Sequence, residues 1–341
     1  MPFLCFWSKI IFMIDLHVHL DGSLTKEDLR YLATLNDLDA SIVDTKPYAV
    51  SPNCHSLSEY LECFDFPVSL LQNVQSISYA TYAVLKRFAG EGLLYVELRF
   101  APQKHTRSGL SQEQVLLSAI QGMNLAKNEC GIACKLLLCC MREDKEGSLN
   151  KETVALAAKY KDSGVAGIDL AGDESIAPNS AYKAVFDYAN SLDVPFTMHA
   201  GENKDNADVW DAIKMGAKRI GGATNVLADP MLVEFLALTK IPLEMSITSE
   251  LNTSVIESAS ASPIAKLVSR GVKVCICTNN TGVSSTTLTR EYALIKEKLG
   301  LSSDVMKSFY FNSVDAAFLD SEQKAFLKEL INKKLNEKEN D

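Results

Sequence analysis

No apolar stretch in this chain approaches the ~20 residues that a membrane-spanning helix needs, so no membrane partner is expected. Dense Lys/Arg clusters with interleaved aromatics are missing too. The formal charge of −9 would repel a phosphate backbone, which argues against nucleic acid as a partner. The cysteines number nine, an odd count, and most stand inside apolar runs such as LLLCC and VKVCIC. That pattern argues against a disulfide framework and reads as reduced, buried thiols in a cytoplasmic protein. Internal repeats, low-complexity tracts and Pro/Gly-rich linkers are absent as well, which favours one domain. No signal for an oligomeric state stands out.

What is present is an ordinary globular balance, 47% apolar and 23% charged over 341 residues, with enough apolar mass for a large core. The first twelve residues, MPFLCFWSKIIF, lack a basic leading region and a small-residue cleavage site. They read as an N-terminal extension (1–12), with Met13 as an alternative start, rather than as a signal peptide. A single domain is expected over 13–335. The stretch after Ser321 reads as a terminal helix that frays into a tail at 336–341.

Short apolar runs recur along the chain, each followed by a polar turn and usually by a longer amphipathic stretch. In order they are IIFMIDLHV, LLYVELRF, CKLLLCCM, VAGIDLAG, VPFTMHA, KRIGG, IPLEMSI and VKVCICT. The intervening segments carry helical period, as in SAYKAVFDYANSLD. Alternating strands and helices imply a parallel sheet, and eight such units imply an α/β chain closed into a (β/α)8 TIM barrel. A helical insertion is expected at about 24–90, between the first two strands.

Active sites of such barrels form where the strands end. The first run ends in His17-Val18-His19, and strand alternation puts both imidazoles on one face. The pair is either half of a metal site or a core hydrogen-bonding feature. The fifth run ends in Met198-His199-Ala200-Gly201-Glu202, which brings a third histidine and a carboxylate to the same rim. Three histidines with an open fourth position suit a hydrolytic zinc site, in which water is acidified to a pKa of roughly 7. His55 and His105 read as structural, and Arg99 as a residue that pairs with an acid across the barrel mouth.

The segments DLHVHLDGSL, YVELRFAP, IDLAGDE, MHAGE and SVDAAF together resemble the adenosine deaminase family of the metal-dependent hydrolase superfamily. They run from residue 15 to residue 318. The resemblance implies zinc held by His17, His19 and His199. It implies Glu202 as the acid that protonates the purine N1, a backbone contact from Gly172 to the purine, and Asp21 near the ribose hydroxyl. A purine nucleoside such as adenosine is the implied substrate, attacked at C6 by an activated water.

Two positions depart from that family's pattern. Arg219-Ile220-Gly221-Gly222-Ala223 has Gly222 where the family reads histidine. Thr278-Asn279-Asn280 has Asn279 where the family places a zinc-ligating aspartate, and an amide is a neutral, weaker ligand and no base. Asn280 retains the means to hydrogen-bond a purine nitrogen. A third departure, Glu250 in SITSE, reads as a solvated rim residue. Cys277, Thr224, Asn225 and Asp229 offer no convincing substitute; Asp229-Pro230 fits a plain helix start. The sequence therefore supports an impaired zinc-dependent deaminase of adenosine or a related 6-aminopurine nucleoside. Its alternatives are a catalytically inactive relative that binds a purine nucleoside or a protein partner, and a barrel hydrolase with another substrate.

Overall fold

In the computed structural model, which describes residues 13–51, 54, 56–202 and 206–339, all eight expected strands are present. They are β1 (Met13–His19), β2 (Leu93–Phe100), β3 (Ala133–Met141), β4 (Val165–Ala171), β5 (Thr197–Ala200), β6 (Arg219–Gly222), β7 (Leu243–Met245) and β8 (Val274–Ile276). The extension 1–12, His55 and residues 340–341 lie outside the described residues.

The strands pair in parallel as β1-β2-β3-β4 and β5-β6-β7-β8. Two seams join these halves into a (β/α)8 barrel. Ile168 bridges Phe196, and Val18 bridges Asn279 just past β8. At the second seam the Asn279 amide donates to the His17 carbonyl and its own carbonyl accepts from the His19 amide, each at 2.8 Å.

Helices fill the connections, and several of their starts carry side-chain caps. Thr25 and Asp28 form a reciprocal capping box on Lys26–Leu35, and Ser111 with Gln114 does the same on Gln112–Cys130. Asp229 caps Pro230–Thr239, the helix start that its sequence suggested. The expected insertion is helical: Lys26–Leu35, Leu57–Glu62, Asp65–Leu70 and Val74–Gly90 lie between β1 and β2. At the other end one helix runs from Ser321 to Glu339, so residues 336–339 continue it.

Strand alternation decides what fills the barrel. Leu16 and Val18 join the apolar layer between strands and helices, whereas Asp15 and His17 face the interior. That interior is charged. Arg99 of β2 donates to Asp169 of β4 and Glu244 of β7, each at 3.0 Å. Arg219 of β6 reaches Glu244 at 2.5 Å and Glu97 of β2 at 2.6 Å. All five side chains are fully buried, so each charge depends on its partners for the solvation that water would otherwise give.

Candidate active site and metal centre

His17, His19 and His199 converge at the C-terminal rim, with one ring nitrogen from each lying within 4.8 Å of the others. The Nε2 atoms of His17 and His19 are 3.3 Å apart. Their opposite nitrogens explain the orientation: His17 Nδ1 meets Glu244 Oε2 at 2.7 Å, and His199 Nδ1 meets Asp169 Oδ2 at 2.9 Å and the Leu170 carbonyl at 3.1 Å. A carboxylate on Nδ1 fixes the tautomer that leaves Nε2 with a lone pair for a metal.

Burial, with positive neighbours Arg99 and His199, pushes His17 down to about 3 despite the Glu244 carboxylate. His19 is lowered as well, by burial and by the other two imidazoles. For His199 burial pulls downward, but Asp169 outweighs it and the net direction is up. Arg99 thus ties both supporting carboxylates together beneath the histidines. The donor set fits a divalent transition-metal ion: three imidazoles held close, with supporting acids on the outer sides of His17 and His199.

Asn279 is stitched between the two β1 histidines by its backbone, at φ 62, a left-handed conformation that Asn and Asp tolerate. Its Nδ2 donates to Ser249 Oγ at 2.9 Å and its Oδ1 accepts from Asn280 Nδ2 at 2.8 Å. Asn280 Nδ2 also donates to the Tyr60 hydroxyl at 3.0 Å.

Above the histidines opens a cavity of about 270 Å3, lined by His19, Asp21, Gly172, His199, Glu202, Asn279 and Asn280 among others. Leu57, Tyr60, Leu61, Phe64 and Val68 of the insertion give it an apolar wall. Burial pushes Asp21 up to about 6. Gly172 has φ 104 and would set a Cβ 3.1 Å from Glu143, so the backbone itself faces the cavity there. The turn carrying Glu202 is anchored by Glu174, whose Oε1 accepts from the Gly201 amide at 2.7 Å.

A second void, about 30 Å3, shares Glu202, Ser249, Thr253 and Asn279 with the first and is lined also by His17, Gly222, Thr224, Glu244, Glu250 and Cys277 among others. Gly222 sits at φ 84. Glu250 is not the solvated rim residue that its sequence context suggested. Its short helix, Ile247–Asn252, begins directly after β7 and is drawn onto the barrel mouth, which leaves Glu250 only 6% exposed. Thr224 lies alongside, but no well-formed hydrogen bond reaches either carboxyl oxygen among the described residues. Burial, reinforced by Glu291 and Glu202 and opposed by Thr224, pushes this carboxyl up to about 8.

A profile of the adenosine deaminase family matches residues 13–334. The chain belongs to the adenosine deaminase family. It is 38% identical over 323 residues to the adenosine deaminase of Haemophilus ducreyi, covering 92% of this chain and 94% of that one. The Enterococcus faecalis adenosine deaminase is 35% identical over 321 residues, with 93% and 95% covered. The N6-methyl-AMP deaminase of Arabidopsis thaliana superposes with a TM-score of 0.83 at 28% identity, covering 96% of this chain and 98% of that one.

Sequence reasoning singled out the three histidines, Glu202, Asp21, Gly172, Asn279 and Asn280, and the structure brings all eight to one rim. It named Arg99 as an ion-pair former without its partners, Glu244 and Asp169. Asp169, inside IDLAGDE, had a usable signal: an acid at an inward register of a barrel strand. His105 is buried, its Nδ1 3.0 Å from the Leu71 carbonyl, which is a structural position. Asp229 caps its helix and accepts from the Trp210 indole at 2.9 Å. No helix among the described residues is long and apolar enough to cross a membrane.

Proposed function

We propose that this protein is a zinc-dependent hydrolase that deaminates adenosine or a related 6-aminopurine, nucleoside or nucleotide. The carrying observation is the convergence of His17, His19 and His199 on one another, beside a cavity of about 270 Å3 that His19, His199 and Glu202 line. Relatives named adenosine deaminase support the nucleoside. A neighbour named N6-methyl-AMP deaminase widens the class to nucleotides.

His17, His19 and His199 would hold the zinc ion, with the Asn279 side-chain oxygen Oδ1 as a neutral fourth contact. When bound, the ion supplies Lewis acidity that makes water a nucleophile near neutral pH. The chain does the rest. The apolar wall at Tyr60 and Phe64 receives the base and excludes water from it, and the Gly172 backbone meets the ring edge. Asp21 takes the ribose hydroxyl, Asn280 meets a purine nitrogen, and Glu202 donates a proton to N1, which leaves C6 electron-poor.

Gly222 and Asn279 stand where the family pattern has a histidine and an aspartate. Loss of one charge-stabilising group costs ~10²–10³ in rate and loss of a base ~10²–10⁴, so slow turnover is expected. Those same two residues favour a second reading, a purine-nucleoside-binding relative without turnover. Metal analysis with an adenosine-to-inosine assay separates the two: zinc with turnover supports the first, and ligand binding without turnover the second.

A further inference from the structure

Glu250 is an expensive residue. A carboxyl that is 6% exposed, with neither oxygen well hydrogen-bonded among the described residues, loses solvation that Thr224 and the Ser246 backbone return only in part. It lines a void of about 30 Å3, bordered also by Gly222, which has no side chain to fill it. The space is large enough for a water molecule, and its walls offer the polar partners that a buried water requires: Glu250, Thr224, Glu202 and Asn279. His17 lines the void as well, so the water site opens onto the metal centre.

We propose that Glu250 holds the attacking water in this void and accepts its proton, supplying from β7's end what the family pattern takes from residues 222 and 279. The inference rests on the deaminase reading above. The exchange is compensatory: glycine at 222 makes the room, and a glutamate on the short helix Ile247–Asn252 lines the same space. A carboxyl poised near neutrality suits the task, because it can both take and return a proton.

The proton inventory closes. Water oxygen bonds to C6 while one of its protons passes to the Glu250 carboxylate and the Glu202 proton passes to N1. The C6–N6 bond then breaks with its electron pair going to nitrogen, which receives the Glu250 proton and leaves as ammonia. The remaining hydroxyl proton returns to Glu202 as C6 becomes a carbonyl. The sum is 6-aminopurine plus water giving 6-oxopurine plus ammonia, with both glutamates restored.

Glu250→Gln tests this with shape retained and charge removed. Zinc is titrated calorimetrically into metal-free protein in two buffers of different ionisation enthalpy. The unmodified protein should release about one proton more per zinc than E250Q, because the ion drives off the Glu250 proton. Glu250→Asp should keep that release. In the zinc-loaded proteins, kcat for adenosine should fall roughly 10²–10⁴-fold in E250Q with KM little changed. Equal proton release, or equal kcat, overturns the proposal. If the unmodified protein converts no adenosine, the deaminase reading fails by itself; the proton-release comparison still decides whether Glu250 faces the metal centre.

Discussion

The Asn279 amide nitrogen donates to the His17 carbonyl oxygen at 2.8 Å, so Asn279, just past β8, is fixed beside His17 by the closure of the barrel itself. Replacing its side chain therefore changes chemistry without moving the backbone. Aspartate tolerates φ 62, can accept from the Ser249 hydroxyl once that group rotates, and keeps the acceptor for Asn280. Asn279→Asp should tighten zinc binding by about tenfold or more, since an anion offsets the ion's charge and an amide does not. Calorimetric titration of metal-free protein checks it. Equal affinity would place residue 279 outside the ion's reach.

Glu244 bears the charge balance of the barrel interior. Its carboxylate meets His17, Arg99 and Arg219 at 2.7, 3.0 and 2.5 Å. Glu244→Gln should destabilise the fold by about 3–5 kcal/mol, because two buried guanidinium groups lose an anionic partner. Zinc affinity should drop ~10–100-fold through the loosened His17 ring. Denaturant unfolding of the metal-free protein isolates the first effect; a loss under ~1 kcal/mol would deny Glu244 this role.

Ala223 holds φ 59, a conformation that costs a side chain more than it costs glycine. Ala223→Gly should stabilise the protein by ~0.5–1 kcal/mol. Its neighbour argues the other way. Gly222 has φ 84, and a Cβ there lies 3.1 Å from Glu202 Cγ. Gly222→His should thus lower stability by about 1 kcal/mol or more, so placing a histidine there needs backbone adjustment as well. Unchanged unfolding midpoints in both variants would contradict this account of the 222–223 turn.

Burial, with Glu291 and Glu202 nearby, lifts Glu250 from 4.5 to about 8. The folded value exceeds the unfolded one, so its stability contribution is complete below about 4.5 and is lost as pH rises through about 8. Glu250→Gln removes that loss. The advantage of E250Q over the unmodified metal-free protein should therefore grow between pH 5.5 and 8.5, by on the order of 3–5 kcal/mol. Urea unfolding at both pH values measures it, and a gap independent of pH would refute the buried-carboxyl assignment.

Much of the barrel was legible because each strand is a short apolar run and the intervening segments have helical period. The H-x-H pair was legible for the same reason, since alternation leaves only one face for His17 and His19. What stayed hidden depends on partners distant in sequence. Glu244 and Asp169 look like isolated acids until the barrel closes and Arg99 joins them. Glu250 looked solvated because glutamate seldom survives burial unpaired; only the descent of Ile247–Asn252 onto the rim, beside the space at Gly222, shows otherwise.

The central claim is that three histidines hold an ion that serves purine deamination. The most direct test is metal content and adenosine absorbance measured on one purified sample, with and without added zinc. The account predicts about one zinc per chain, as a tetrahedral site with three histidines allows, and slow conversion of adenosine to inosine that disappears in His17→Ala. A folded protein that retains no zinc and leaves adenosine unchanged at every zinc concentration would contradict it.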